Sequence, residues 1–299
     1  MDTITHTWFG LTIYGALNKE EMDARLKKAM FATSLVGSQI PDIDVISRYW
    51  DTEGMYQMWH RGLTHSVFLV PVWALLIAGL CFLLFRTRDR RIFWVGLLAV
   101  FIHVTSDLFN AWGTGYLEPF SDVRITFGTV PIVDLTVWTI ILAGFVLARL
   151  RKFKPHLVYK TVGILIAAHF LIQSVQGYMI YKSVQGRYDE QTLAASFVPW
   201  NFQLIGKKGD KVEILAATVW SEPRLVHQLT SRESADLNLL FAENPKAKTL
   251  YRWAPFVVVV DNEQKLGIFD PRFYRDGESF LFEYIEKRGG MPETGSPKS

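Results

Sequence analysis

Residues 66–85, "SVFLVPVWALLIAGLCFLLF", carry no charged side chain. A helix needs about 20 apolar residues to cross the hydrocarbon core of a bilayer. This stretch therefore commits the chain to a membrane, and its internal Pro71 is tolerable in such a helix. Three further apolar stretches follow at 92–109, 132–150 and 157–181, the first interrupted by His103 and Asp107. A hydrophobic share of 49% with ten tryptophans fits a membrane protein with a water-exposed part.

The loops between these stretches orient them. Arg86, Arg88, Arg90 and Arg91 separate the first two; Arg149, Arg151, Lys152 and Lys154 separate the last two. The positive-inside rule puts both loops in the cytoplasm. Residues 60–66, the loop at 110–130 and everything after Tyr181 then face outward. The first 45 residues hold two shorter apolar arms, 7–17 and 30–40, flanking the polar "NKEEMDARLKK". At about 11 residues each, the arms are too short to span upright. They are expected to form a short helical hairpin within the bundle or to lie in the interface. The opening "MDTITHTWFGLTIYG" has no basic region of the kind a cleaved signal carries.

From residue 182 the composition changes. "FVPWNFQLIG", "KVEILAATVW", "TLYRWAPFVVVVD" and "KLGIFD" are β-branched and aromatic runs bounded by turn residues. The expected architecture is a mainly α membrane protein. It has four long transmembrane helices plus the N-terminal hairpin in residues 1–181, a small β-rich soluble domain at 182–288 and a disordered tail at 289–299. A net charge of only +3 argues against a nucleic-acid partner. The lone Cys81 allows neither an intrachain disulfide nor a CxxC metal site.

Chemistry gathers at the outward ends. His103 and Asp107 stand four apart, on one face of a helix. They can share a metal ion, or simply join two helices. In "QIPDID", Pro41 predicts the end of the preceding helix and a turn bearing Asp42 and Asp44. Aspartates after proline are also ordinary turn residues. "HRGLTHS", residues 60–66, holds His60 and His65 five apart, which a regular helix would splay by about 140°. Gly62 permits a break, and Thr64 or Ser66 can cap the next helix. Arg61 offers a planar fork for a phosphate or carboxylate; a snorkelling arginine in a capping segment is the alternative. His6 precedes the first short arm. His156, His169 and His227 lack acidic neighbours in the sequence and are set aside.

The arginine and lysine counts that fix this topology are blind to histidine. Even so, they bring His6, Asp42, Asp44, His60, His65, His103 and Asp107 to one face. Imidazole and carboxylate together suit Zn²⁺, with Mn²⁺ or Fe as other options, in one or two ions. A two-metal centre activates water and clamps a phosphoryl group.

These same segments resemble the YdjM-like membrane-bound metal-dependent hydrolases, also described as LexA-regulated inner-membrane hydrolases. The resemblance rests on Thr5–His6 with Gly10, "GSQIPDID", "HRGLTHS", "HVTSD" and "NAWGTGYLEPF". It covers roughly residues 1–150, and the longer form looks like versions from Bacillus-type bacteria. It implies a multi-pass protein of the bacterial cytoplasmic membrane and a metal-dependent hydrolase. The order of motifs is also similar to zinc-dependent phospholipase C. That similarity implies His6, Asp42, His60 or His65, His103 and Asp107 as ligands. It stops after Asp107, where no second HxxxE or HxxxD pair follows, so a three-zinc site is not implied.

The expectation is a phosphoesterase-like hydrolase at the outer membrane surface, acting on a lipid or envelope phosphoester. Arg61 would hold the phosphate, and Asp44 would orient a histidine or act as general base. The rivals are a non-catalytic regulator or assembly factor with a structural metal site, and a transporter, whose polar residues would line both sides of the bilayer.

Overall fold

The structure, a computed structural model, describes residues 1–150 and 152–287. The tail expected at 289–299 lies outside the described residues. Two helices open the chain, α1 (Thr3–Ala16) and α2 (Ala24–Gly37). Each starts at an aspartate that accepts hydrogen bonds from the first-turn amides: Asp2 from Ile4 and Thr5, Asp23 from Leu26. A 3₁₀ segment (Ile40–Tyr49) and the one-turn helix α3 (Tyr56–Trp59) come next. Then come α4 (Val70–Phe85), α5 (Arg90–Ser106), α6 (Leu135–Arg149) and α7 (Pro155–Ser183).

Among the described residues, three helical stretches are long and apolar enough to cross a membrane: Val67–Phe85, Arg90–Phe109 and Pro155–Ser183. The expected third span is the shorter α6. Its 15 residues reach about 22 Å, less than the bilayer core of about 30 Å. Asp134 sets its start, by capping the Thr136 and Val137 amides. Pro71 needs no tolerance, because it occupies the first turn of α4, where its missing N–H costs nothing. Leu75, Leu76, Leu83 and Leu84 on α4 and Ile164 and Leu171 on α7 are exposed. Apolar faces of that extent belong against lipid rather than water.

Helix α1 is the hinge of the bundle's packing. On one side Ile13 joins Met30, Ile77, Ala99 and Val100, so α1, α2, α4 and α5 share a core. On the other, Phe9 joins Val137, Ile141, Val162 and Phe170 of α6 and α7. His169 does have an acid nearby, contrary to the sequence reading: its Nε2 lies 2.9 Å from Asp134 Oδ2, and both are buried. Thirty-five residues separate the two in sequence, and the α6–α7 packing closes that gap.

Beyond α7 an antiparallel sheet runs in chain order: β1 (Glu190–Ala195), β2 (Phe202–Lys208), β3 (Lys211–Thr218) and β4 (Ser221–Thr230). Two short helices intervene, α8 (Leu237–Glu243) and α9 (Pro245–Trp253). A second sheet, ordered β5-β6-β9, pairs β5 (Val258–Asp261), β6 (Lys265–Phe269) and β9 (Phe282–Glu286). Between β6 and β9, the two-residue strands β7 (Tyr274–Arg275) and β8 (Glu278–Ser279) pair with each other. "TLYRW", strand-like by composition, instead ends α9. Asn244 caps the helix, Pro245 occupies its first turn, and Ala247, Leu250 and Trp253 bury one face at helical spacing.

The C-terminal sheet region is docked on the bundle. Ile180 and Val184 at the end of α7 pack with Leu193, Phe202 and Leu204. Arg272 donates to the Ala111 carbonyl. Gly128 has φ +63, and a Cβ there would sit 1.8 Å from the Leu193 carbonyl oxygen, so only glycine fits that approach.

Candidate metal centre

The 3₁₀ segment Ile40–Tyr49 carries Asp42 and Asp44, where a turn was expected. Pro41 does keep it apart from α2, since a proline in its first turn cannot continue the earlier helix. In the facing loop, His60 is extended and Arg61 has φ +58, a left-handed backbone rarely adopted by a non-glycine residue. Gly62 follows at φ −85, ψ −129, and a Cβ on it would lie 2.9 Å from the Trp59 carbonyl oxygen. This bend turns the side chain of His65 back toward that of His60. Ser66 then caps the next turn by accepting from the Phe68 amide.

Asp44 locks the bend. Its Oδ2 accepts from the Arg61 amide at 3.0 Å and from the Thr64 hydroxyl at 2.6 Å. Its two oxygens also face Nδ1 of His60 at 2.8 Å and Nδ1 of His65 at 3.2 Å. A carboxylate on Nδ1 leaves Nε2 of each ring to face something else. For His65 that is a cluster: Asp42 at 3.3 Å, His103 Nε2 at 3.2 Å and Asp107 at 3.5 Å.

His103 is oriented from behind. Its Nδ1 donates to the Ser38 carbonyl at 2.7 Å, because a carbonyl can only accept. Its Nε2 therefore presents a lone pair to Asp42 and Asp107, 3.6 and 3.9 Å away. His6 stacks on the His103 ring at 3.7 Å and points Nε2 toward Asp107 at 3.4 Å. Both nitrogens of His6 and Oδ2 of Asp107 are buried without a hydrogen-bond partner among the described residues. Orphaned buried acceptors and lone pairs aimed at one point are the donor set a divalent cation satisfies.

Among the described residues, two groups of side chains have ligand atoms close enough to share an ion. Asp42, His65, His103 and Asp107 form one, and Asp42, Asp44 and His60 form the other. Asp42 belongs to both. The first is almost wholly buried; at the rim the Asp42 and His60 side chains remain 17% and 15% exposed, so the cluster is reached from that side. Burial opposes ionisation of Asp42, but His103 and His65 outweigh it and hold the carboxyl well below its usual range. Asp44 is depressed in the same way, with burial overcome by His60 and His65. Burial lowers the pKa of His65, yet Asp107, Asp42 and Asp44 outweigh it and push it up to about 10. The carboxylates thus hold positive charge at the cluster's centre.

Arg61 is turned inward. Its guanidinium donates to the Asn110 side chain at 2.8 Å and the Met1 carbonyl at 3.0 Å, and its Nε lies 3.2 Å from Asp107. Asn110 carries no metal-ligand signal in the sequence. It stands three residues after Asp107 and also accepts from the Trp112 amide, so it ties the arginine to the following loop. Tyr56 stacks on His60 at 5.3 Å, and Trp112 meets the same ring edge-on. A neighbouring Arg124 holds the carbonyls of Met58, His60 and Gly113. All seven residues expected at the outward face lie in this one cluster with Arg61. His156, His169 and His227 are not among its ligand groups.

Residues 1–180 match the model of a family described as "YdjM inner membrane protein". The chain belongs to the YdjM inner membrane protein family. The matched region ends within α7, so the family relation covers the bundle and the cluster but not the sheets. This YdjM family member is also similar to an uncharacterized protein, YfhP, of Bacillus subtilis (strain 168). The two are 29% identical over 179 residues, 58% of this chain and 54% of that protein. The match thus spans about half of that relative's length. No solved structure matches the chain.

Proposed function

We propose that this YdjM family member is a membrane-bound, metal-dependent hydrolase acting on a phosphoester of a lipid or envelope intermediate. The observation that carries the reading is the buried convergence of His65, His103, Asp42 and Asp107, with the free nitrogens of His6 beside them. We place one divalent ion at this core, zinc by its nitrogen-and-carboxylate donor set. The rim group shares Asp42 and is where a second ion would join.

The ion would supply Lewis-acid polarisation of a phosphoryl oxygen and acidify water at neutral pH. The chain does the rest. Ser38 and Asp44 fix the histidine tautomers so that lone pairs face the core. Asp44, hydrogen-bonded to loop and histidines alike, is an orienting group; its depressed pKa makes it a poor proton acceptor. His60, partly exposed at the rim with Asp44 behind its Nδ1, is the better placed residue to move a proton. Arg61 steadies Asp107 and Asn110; to clamp a phosphate it would first have to exchange those partners. The positive-inside rule puts this end, with the docked sheets, on the extracytoplasmic side.

Arg61's inward commitment favours a second reading, a non-catalytic regulator or assembly factor whose ion is structural. The two separate in one experiment. Zinc-loaded protein in detergent is offered a panel of phosphoesters and phospholipids, alongside H60A. On the hydrolase reading H60A keeps its zinc and loses turnover. Zinc-loaded protein that turns over none of the panel leaves the structural reading standing.

A further inference from the structure

Two cavities meet beside α7. The first, about 940 Å³, lies between the outer end of the bundle and the docked sheets. Trp112, Arg124, Arg252 and Trp253 line it. Three of these hold buried N–H donors with no partner among the described residues: the indole Nε1 of Trp112, that of Trp253, and Nε of Arg124. Trp253 is only 3% exposed, so water does not satisfy its donor. Neither Arg124 nor Arg252 is in an ion pair among the described residues, whereas Arg272 on the same wall is neutralised by Asp270. Asp122 is the one carboxylate on the wall among those residues. Arg124 already spends its terminal NH groups on carbonyls, but no carboxylate among the described residues pairs with its charge or with that of Arg252, so the chamber favours a ligand carrying negative charge.

The second cavity, about 690 Å³, is an apolar groove within the bundle. Phe9 and Ile13 of α1, Val95 and Phe101 of α5, and Gly163 and Ile166 of α7 line it. Phe109 and Ser174 line both cavities, so the groove ends against the chamber. Along α7 it runs from Tyr159 to Ser174, about 22 Å at helical rise. That length lies inside a membrane-crossing helix, where the available apolar occupant is an acyl chain.

We propose that chamber and groove form one binding site for a membrane lipid with an anionic headgroup: the headgroup among Arg124, Arg252 and the two indoles, one acyl chain between α1, α5 and α7. Trp112 lines the chamber and touches His60, so the headgroup lies next to the candidate metal centre. This goes beyond the hydrolase reading and holds whether or not that centre cleaves the lipid.

The probe is phosphatidylglycerol bearing a diazirine in its acyl chain, photolysed with the full chain in phosphatidylcholine nanodiscs and mapped by peptide mass spectrometry. Labels are expected on the α5 and α7 walls of the groove. A Cβ added at Gly163 meets nothing within 4 Å, and Gly163 lines the groove, so G163F introduces its bulk at an open point of that wall. It should cut groove labelling about tenfold at unchanged melting temperature, the loss of about 1.4 kcal/mol of binding. R252E should abolish the preference for phosphatidylglycerol over the phosphatidylcholine analogue. D42N, aimed at the metal, should leave labelling intact. Labelling that survives G163F, or equal labelling by the zwitterionic analogue, overturns the assignment. Full protection by glycerol phosphate alone makes the chamber a soluble-anion site and overturns it too.

Discussion

Asp42 is the side chain shared by both ligand groups, and replacing it is the sharpest test of the core ion. Asp42→Asn keeps the shape and removes one charge. Its carboxylate lies 3.3 Å from His65 Nε2 and 3.6 Å from His103 Nε2 and is partly exposed, so the amide fits without a void. The core then keeps His65, His103, Asp107 and the neighbouring His6. Orienting partners of metal ligands are worth about 10- to 100-fold in affinity, and a direct ligand belongs at or above the top of that range. Zinc should bind D42N about 100-fold more weakly, which removes about 2.7 kcal/mol of metal-linked stability at saturating zinc. H60A touches only the rim, where His60 reaches Asp44 rather than the core, and should cost less than about tenfold. The assay is zinc competition against a chromophoric chelator on chelator-stripped protein, with melting curves at fixed zinc. Wild-type affinity in D42N, or an equal loss in H60A, would falsify the assignment of the core.

Other consequences are open to measurement. In metal-free protein the carboxylates around His65 keep it protonated at neutral pH. Zinc should therefore release a proton, and its affinity should rise by up to about tenfold per pH unit, read by calorimetry in buffers of different ionisation enthalpy; binding without proton release refutes this. By the same sign, metal-free protein has His65's contribution in full below about pH 6.5 and loses it as pH rises toward about 10, visible as falling melting temperature. Gly128→Ala forces a left-handed alanine into the Leu193 carbonyl and should cost about 2 kcal/mol or more in thermal denaturation; a wild-type melting curve would contradict the docking described. Asp134→Ala removes both the α6 cap and the His169 contact and should cost about 2–4 kcal/mol. Asp134→Asn keeps the cap and should cost less; equal losses would mean that the His169 contact alone matters and the cap contributes nothing.

Much of the bundle was legible because bilayer length and helical period are local properties of a sequence. Residues 66–85 and 157–181 announced α4 and α7 within a few positions. The third span comes out shorter than its apolar run because apolar content says nothing of where a helix is capped, and Asp134 caps α6 late. "TLYRW" has a composition that suits strands; the Asn244 cap and the buried spacing of Ala247, Leu250 and Trp253 made it helix. At the site, residue types and the charge of the flanking loops were enough to gather His6, Asp42, Asp44, His60, His65, His103 and Asp107 at one end of the bundle.

The sequence alone thus indicated that the chain belongs to a membrane, where its long apolar helices lie, and which side chains share an end. Tertiary structure alone decided how those side chains divide. It gave His103 a backbone carbonyl that sets its tautomer, turned Arg61 inward onto Asn110, split the ligands into a buried core and a rim joined at Asp42, and found His169 its Asp134. Each of these is a contact between segments distant in sequence. Spacing and composition constrain neighbours along the chain; only packing sets which lone pair meets which proton across it.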